Sequence, residues 1–286
     1  MIRLIAILVG LGFTVVVGWS FGVGAWTAAT AGLGEKGAEY TFYKKPREPK
    51  EGFSFAGPLG RYDEAQLQRG YQVYKEVCAS CHSLKFVHFR DLAALGYSEG
   101  QVKALAAEWT VPGIDPDTGE SINRPGMPTD TFPSPYENKI AAAAANNNAI
   151  PPDLSLMAKA RPDGSNYIYS LLTGYGEIPA ELKQQFPKFE TGVGLHFNQY
   201  FPNLNIAMAQ PIVVDGQVTY AEGAPEATVS QMAQDVAAFL TWTAEPKLED
   251  RKQTGFAVLI FLLFATVLAY LSKQQVWSAL KRRNDA

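Results

Sequence analysis

The sequence predicts a mainly α protein: one helical domain with long loop insertions and a small β-hairpin, then a single transmembrane helix near the C-terminus. Three observations predict it. Apolar residues recur at three- and four-residue steps over 63–78 and 228–244. Turn-forming Pro, Gly, Asp and Asn crowd the connections between such stretches. Residues 255–271 form an apolar run without a charge, followed by Lys281-Arg282-Arg283.

Taken in order, Met1-Ile2-Arg3 precedes an apolar run from Leu4 to about Ala29. Residues 1–31 read as a secretory signal, with Ala29-Thr30-Ala31 as a small-residue cleavage site, or as an uncleaved N-terminal anchor. The cleaved signal is favoured, because Gly10, Gly12, Gly18, Gly22 and Gly24 weaken a permanent span. Residues 32–62 are rich in Lys, Glu, Pro and Gly and show no apolar period, so they read as an extended lead-in over the surface. Asp63 or Tyr62 then opens a helix whose face runs through Leu67, Tyr71, Tyr74 and Val77. Gly70 within it is either a tolerated surface glycine or a point of close helix approach.

A second helix is expected over 98–108 behind the Ser98-Glu99 cap signal, and 111–136 reads mostly as turns. An alanine-rich helix over 138–145 is stopped by Asn146-Asn147-Asn148, and Pro151-Pro152 fixes an extended wall. Short helices follow at 155–160 and 165–173. The aromatic, Pro-bracketed stretch 197–212 is a loop, and 212–220 reads as a hairpin around Asp215-Gly216. The helix over 228–244 presents Val229, Met232, Val236, Phe239 and Thr243 on one face. The domain division is therefore 1–31, 32–62, a soluble domain at 63–250, a membrane span at 251–272 and a basic tail at 273–286.

The chemistry centres on Cys78-Ala79-Ser80-Cys81-His82. C-x-x-C-H is the pattern of covalent c-type haem attachment. Two thiols two residues apart match the two vinyl groups of haem, and the adjacent His82 is placed to ligate the iron from below. A structural zinc site would require a second ligand pair, but the chain has only these 2 cysteines. A redox dithiol belongs in a βαβ setting, whereas a helical pattern precedes this motif. Covalent haem c also implies export, because attachment takes place outside the bacterial inner membrane. The apolar N-terminus supplies a candidate for that signal. Basic residues after the span place the C-terminus in the cytoplasm and the haem domain on the periplasmic side.

An electron-transfer haem takes a second axial ligand, and Met raises the potential. Met127, Met157, Met208, Met232, His88 and His196 are the candidates. His88 lies too close to His82 to reach the opposite face, and Met232 falls on a core face. Met127 and Met208 both sit in Pro-flanked loops, and Met208, late in the domain, has the loop best placed to fold over the haem. Ordinary packing is the alternative role for either. The formal charge of −3 hides an acidic 32–250, with 18 Lys and Arg against 27 Asp and Glu. That balance argues against nucleic acid and suits a basic protein partner, or simply a well-solvated surface.

Beyond the motif, the chain resembles the cytochrome c1 family in long ordered runs. These are Arg69-Gly70-Tyr71 through His82-Ser83-Leu84, Arg124-Pro125-Gly126, Ala145-Asn146-Asn147, Pro151-Pro152-Asp153-Leu154-Ser155, Ser170 through Tyr175, Phe201-Pro202 through Met208, and Ala244-Glu245-Pro246. The resemblance implies a class I cytochrome c-like haem domain with one covalent haem c on Cys78 and Cys81 and axial ligands His82 and Met208. It places Asn146 and Pro152 in the pocket wall and Arg161 and Tyr167 near a propionate. It further implies partnership with cytochrome b, a Rieske iron–sulfur protein and a cytochrome c acceptor in a dimeric membrane complex. The chain would relay electrons without making or breaking bonds itself. Some relatives have a Cys where Gly176 stands here, so no disulfide braces the Met208 loop, and packing must hold it. A haem peroxidase would need an open sixth position, and a haem sensor would need an output domain for which no sequence remains.

Overall fold

In the computed structural model, which describes residues 2–31 and 36–284, the apolar N-terminal stretch is one helix, α1 (Ile2–Ala31). The start of the expected lead-in (32–35) and the end of the basic tail (285–286) lie outside the described residues. The rest of the lead-in departs from expectation. It carries a one-turn helix, α2 (Ala38–Phe42), whose Ala38 is buried against Leu182, Phe197 and Leu204. Further on, Phe53 and Phe55 stack at 5.0 Å and enter the main core. Backbone and side-chain bonds stitch the segment down: Lys44 N–H to the Gln199 carbonyl, Gln234 Nε2 to the Gly52 carbonyl, and Lys252 Nζ to the carbonyls of Phe55 and Gly60. Its aromatic pair, rather than any periodicity, ties it in.

Asp63 caps α3 (Glu64–Val73) by accepting the Gln66 N–H, and the helix continues as one π turn over Tyr74–Cys78. A 3-10 turn over Phe89–Leu95 follows, then α4 (Glu99–Ala107) behind its Ser98 cap. The hairpin lies next, as β1 (Thr110–Ile114) paired antiparallel with β2 (Ser121–Pro125). Here the Asp115 side chain accepts the Asp117 and Thr118 N–H groups and Gly119 takes positive φ. Pro112 and Pro125 inside the strands disguised them as pure turn. Then come α5 (Lys139–Ala145), α6 (Met157–Ala160), α7 (Gly164–Thr173) and α8 (Ala180–Gln185). The expected Asn stop is real: Asn147 and Asn148 both adopt left-handed φ, 51° and 64°. The loop over 197–212 is crossed by a minimal pair, β3 (His196–Phe197) with β4 (Asn205–Ile206).

The hairpin expected at 212–220 does not form. Gly216 makes the turn at φ 74°, but the Gln217 side chain takes the place of a ladder. It accepts the Val213 N–H and donates to the Pro211 carbonyl, both at 2.8 Å. The last two helices are α9 (Val229–Ala244) and α10 (Leu248–Asn284). Helix α9 is more deeply placed than a one-faced amphipathic reading suggests, because every residue from Asp235 to Ala244 is buried. It has α3 on one side and α6 and α7 on another. Helix α10 begins before the expected span and includes all of it. Its charge-free stretch between Lys252 and Lys273 is 20 residues, about 30 Å long, enough for the hydrocarbon core of a bilayer. Helix α1 is also long and apolar enough to cross one.

The core forms where α3 crosses α9. Gly70 is the contact point: a Cβ there would lie 2.1 Å from the Asp235 carbonyl oxygen and 2.7 Å from Phe239 Cβ. Close approach, not surface tolerance, explains this glycine. Tyr71 and Tyr74 each meet Phe239 (ring centroids 5.7 and 5.8 Å), and Phe132 wedges between Tyr74, Phe89 and Trp109. A fully buried Asp235 carboxylate closes the crossing, accepting from Arg69, Gln66 and Gln231. Gly70→Ala is expected to lower the stability of the haem-loaded protein by about 1–3 kcal/mol, because overpacking against backbone outweighs the helix propensity of Ala. Thermal melts check this; an unchanged or raised Tm would show that the helices can spread.

Arg124 on β2 holds Asp130 through a two-pronged contact at 2.6 and 2.8 Å, and Asp130 also accepts the Met127 N–H. The guanidinium keeps this carboxyl below its ordinary 3.8. A lowered folded value means that the unfolded chain takes up the proton first. The contribution is therefore full above the ordinary range and lost as pH falls through the folded value. Asp130→Asn should cost about 1 kcal/mol at neutral pH. The gap to wild type should close in acid below the ordinary carboxylate range, as urea unfolding at several pH values would show.

Candidate functional site

The π turn that ends α3 delivers Cys78 to the edge of a cleft of about 870 Å³, and the chain then folds back on itself. The Cys78 carbonyl accepts the N–H groups of both Cys81 (3.1 Å) and His82 (2.9 Å), so the whole C-x-x-C-H unit is one turn at the cleft. The Tyr74 hydroxyl donates to the His82 carbonyl at 3.0 Å and anchors that turn to the aromatic core. Burial, followed by the neighbouring Cys81, pushes the Cys78 thiol up to about 12.

His82 Nδ1 lies 2.8 Å from the Pro152 carbonyl oxygen. A carbonyl can only accept, so Nδ1 carries the proton and Nε2 keeps its lone pair free for a metal. Burial lowers the pKa of the ring more than the Pro152 bond and Asp153 raise it, which favours the neutral imidazole. The Pro152 carbonyl is in turn set by Asp153. That carboxylate accepts from Ser83 Oγ (2.7 Å), the Lys85 N–H (2.9 Å) and the Ser155 N–H (3.0 Å), while the Leu154 N–H donates to the Ser83 carbonyl. Burial alone would raise Asp153, but these donors outweigh it and hold the group low.

All eight residues singled out from sequence border this cleft: Cys78, Cys81, His82, Asn146, Pro152, Arg161, Tyr167 and Met208. Asn146 donates from Nδ2 to Tyr136 Oη and to the Ala142 carbonyl, which fixes it at the end of α5. The Tyr167 hydroxyl is raised by burial and partly offset by the Arg161 guanidinium beside it. Met208 follows β4, and its carbonyl accepts the Tyr175 hydroxyl at 3.0 Å. Of the other donors weighed for a second axial position, Met157 and His196 also border the cleft. Met232 is fully buried, and Met127 and His88 lie elsewhere. Sequence reasoning missed Asp153 and Tyr175, which act through another residue's backbone carbonyl. Both lie within runs shared with the family, although no residue type signals such a bond.

Most of the remaining lining is apolar, including Leu154, Ile168, Leu172, Val236 and Leu240, with Glu76, Asn147, Gln210 and Gln217 among the polar exceptions. A cleft of this size, largely hydrophobic with a few fixed polar groups, lies in the range of cofactor sites. The cysteine pair at its edge and the pre-set imidazole fit a covalently held haem.

Residues 53–280 match the family model described as the Cytochrome C1 family. The chain belongs to the cytochrome c1 family. Cytochrome c1 is a haem c-binding subunit of the membrane-bound bc1 complex, an electron-transport assembly. The chain is 48% identical over 241 residues to the cytochrome c1 of Rhodospirillum rubrum, covering 81% of this chain and 88% of that one. It is 45% identical over 261 residues to the mitochondrial cytochrome c1-2 haem protein of Solanum tuberosum, covering 91% and 94%. A Bradyrhizobium diazoefficiens protein named cytochrome b/c1 is 46% identical over 247 residues, covering 81% of this chain and 36% of that longer one. The expected cytochrome c1 resemblance and mainly helical fold are therefore borne out.

Proposed function

We propose that this chain is a membrane-anchored monohaem c-type cytochrome that takes an electron from a Rieske iron–sulfur protein and passes it to a cytochrome c. One observation carries the reading: a C-x-x-C-H turn edges a mostly apolar cleft in which the imidazole is held by the Pro152 carbonyl in the ligating tautomer. When bound, haem supplies a one-electron couple. The protein's own residues do the rest. Cys78 and Cys81 would hold the group by thioether bonds, and His82 Nε2 and the Met208 sulfur would ligate the metal. Met208 is preferred to Met157 for its Pro-flanked loop and the family resemblance, and the Tyr175 hydroxyl holds its carbonyl from beside the cleft. Asn146 and Pro152 would wall the cleft, Arg161 with Tyr167 would neutralise a propionate, and Leu154, Ile168 and Leu240 would exclude water. No bond is made or broken by this chain alone.

The same proposal covers its setting. The domain at 63–250 would sit on the periplasmic or intermembrane side of the bacterial or mitochondrial inner membrane, held in the lipid by 251–272, with the basic tail at 273–286 in the cytoplasm or its equivalent. Residues 1–31 would serve as the export signal or as a second anchor. Cytochrome b would be the membrane partner, supported by the relative whose name joins b and c1. The complex would be dimeric. The acidic 32–250 suits a basic acceptor.

Two sets of variants test the ligand set. Replacing both Cys78 and Cys81 by Ala should abolish haem that survives denaturing electrophoresis. Met208→Leu should convert a low-spin six-coordinate spectrum to a high-spin one that binds carbon monoxide, while Met157→Leu should leave it low-spin. The reverse pattern would move the axial role to Met157.

A further inference from the structure

Many loops that must keep a soft thioether on a metal are closed by a cross-link. This one has none, since the only cysteines are those of the C-x-x-C-H turn. Besides the β3–β4 pairing that precedes it, one side-chain hydrogen bond reaches Met208 itself. Tyr175, two residues beyond the end of α7, donates its hydroxyl to the carbonyl oxygen of Met208 itself, at 3.0 Å. The Tyr175 backbone is fixed independently by an antiparallel bridge to Asn198. Asn198 is fully buried and locks the α7 end in place. Its Nδ2 donates to the Leu171 carbonyl (2.8 Å) and its Oδ1 accepts the Tyr200 N–H (3.0 Å). The phenol is therefore a fixed strut, and the Met208 backbone is the part it holds.

We propose that Tyr175 is a positioning residue for the Met208 sulfur, setting how firmly that sulfur stays on the metal against competing ligands. This rests on Met208 being the axial ligand. The physical argument is one of populations. A loop that can lift exposes the metal in a minor state, and an external ligand binds only that state. Its apparent affinity then scales with the fraction of open loop. Removing one partly buried hydrogen bond from the closed state raises that fraction several-fold. A strut on the ligand's own carbonyl acts on this equilibrium. A hydroxyl with a partner away from the loop contributes only to global stability.

The test uses the haem-loaded full chain in detergent and three variants. Tyr175→Phe removes the strut oxygen. Tyr169→Phe removes another partly buried phenol bond, to Ser230 Oγ at 2.9 Å, away from the loop. Met208→Leu removes the sulfur. Imidazole titration of the oxidised protein reads the open fraction, redox titration reads the potential, and thermal melts read stability. Tyr175→Phe should bind imidazole about five- to tenfold more tightly and have a lowered midpoint potential. Tyr169→Phe should lower Tm and leave imidazole affinity unchanged. Equal imidazole affinity in wild type and Tyr175→Phe would overturn the proposal, as would an equal gain in both Phe variants. Failure of the underlying ligand assignment is read separately, as a Met208→Leu spectrum identical to wild type.

Discussion

The approach of α3 to α9 at Gly70 governs the rest of the architecture. With no side chain between them, the Asp235 carbonyl comes against the backbone of α3, and Tyr71 and Tyr74 can reach Phe239. About two turns later, past the π turn that follows α3, the chain enters the C-x-x-C-H unit, so the placement of that unit against Val236 and Leu240 of α9, which line the same cleft, is inherited from the crossing. A larger residue at 70 would push the motif and the cleft wall apart together. The buried Asp235 network adds angular definition to a contact that packing alone would leave free to slide.

Much of this was legible in the sequence because it is written in local chemistry. The caps at Asp63, Ser98, Asn138 and Thr228 start helices at the expected places. The Asn run ends α5 because Asn tolerates left-handed backbone. The C-x-x-C-H spacing announces its ligand by residue type alone. What stayed hidden depends on tertiary context. The strands at 110–125 contain prolines, so the local signal spoke for turn, and pairing was decided by Asp115 and Gly119 between them. At 212–220 an Asp-Gly turn promised a ladder, but one glutamine side chain satisfied the same backbone groups instead. The depth of α9 could not be read from one apolar face, because Ala237, Ala238 and Thr241 read as surface residues until α6 and α7 cover them.

The candidate site shows the same division. Residue types identified the thiols and the imidazole, whereas the groups that orient them contribute through main-chain atoms. Pro152 was expected as a wall; its carbonyl proves to be the acceptor that fixes the His82 tautomer, and Asp153 holds that carbonyl in place. The sequence preferred Met208 for its Pro-flanked loop late in the domain, and the structure brings both Met208 and Met157 to the cleft.

The stitching of the lead-in to the base of α10 has a mechanical consequence. Lys252 grips the carbonyls of Phe55 and Gly60, and the Tyr62 N–H donates to Glu249, so the root of the apolar helix is riveted to the domain on two sides. Nothing in that joint resembles a swivel. A head fastened in this way to its stalk keeps one bearing relative to the axis of α10, so the two turn as a single piece.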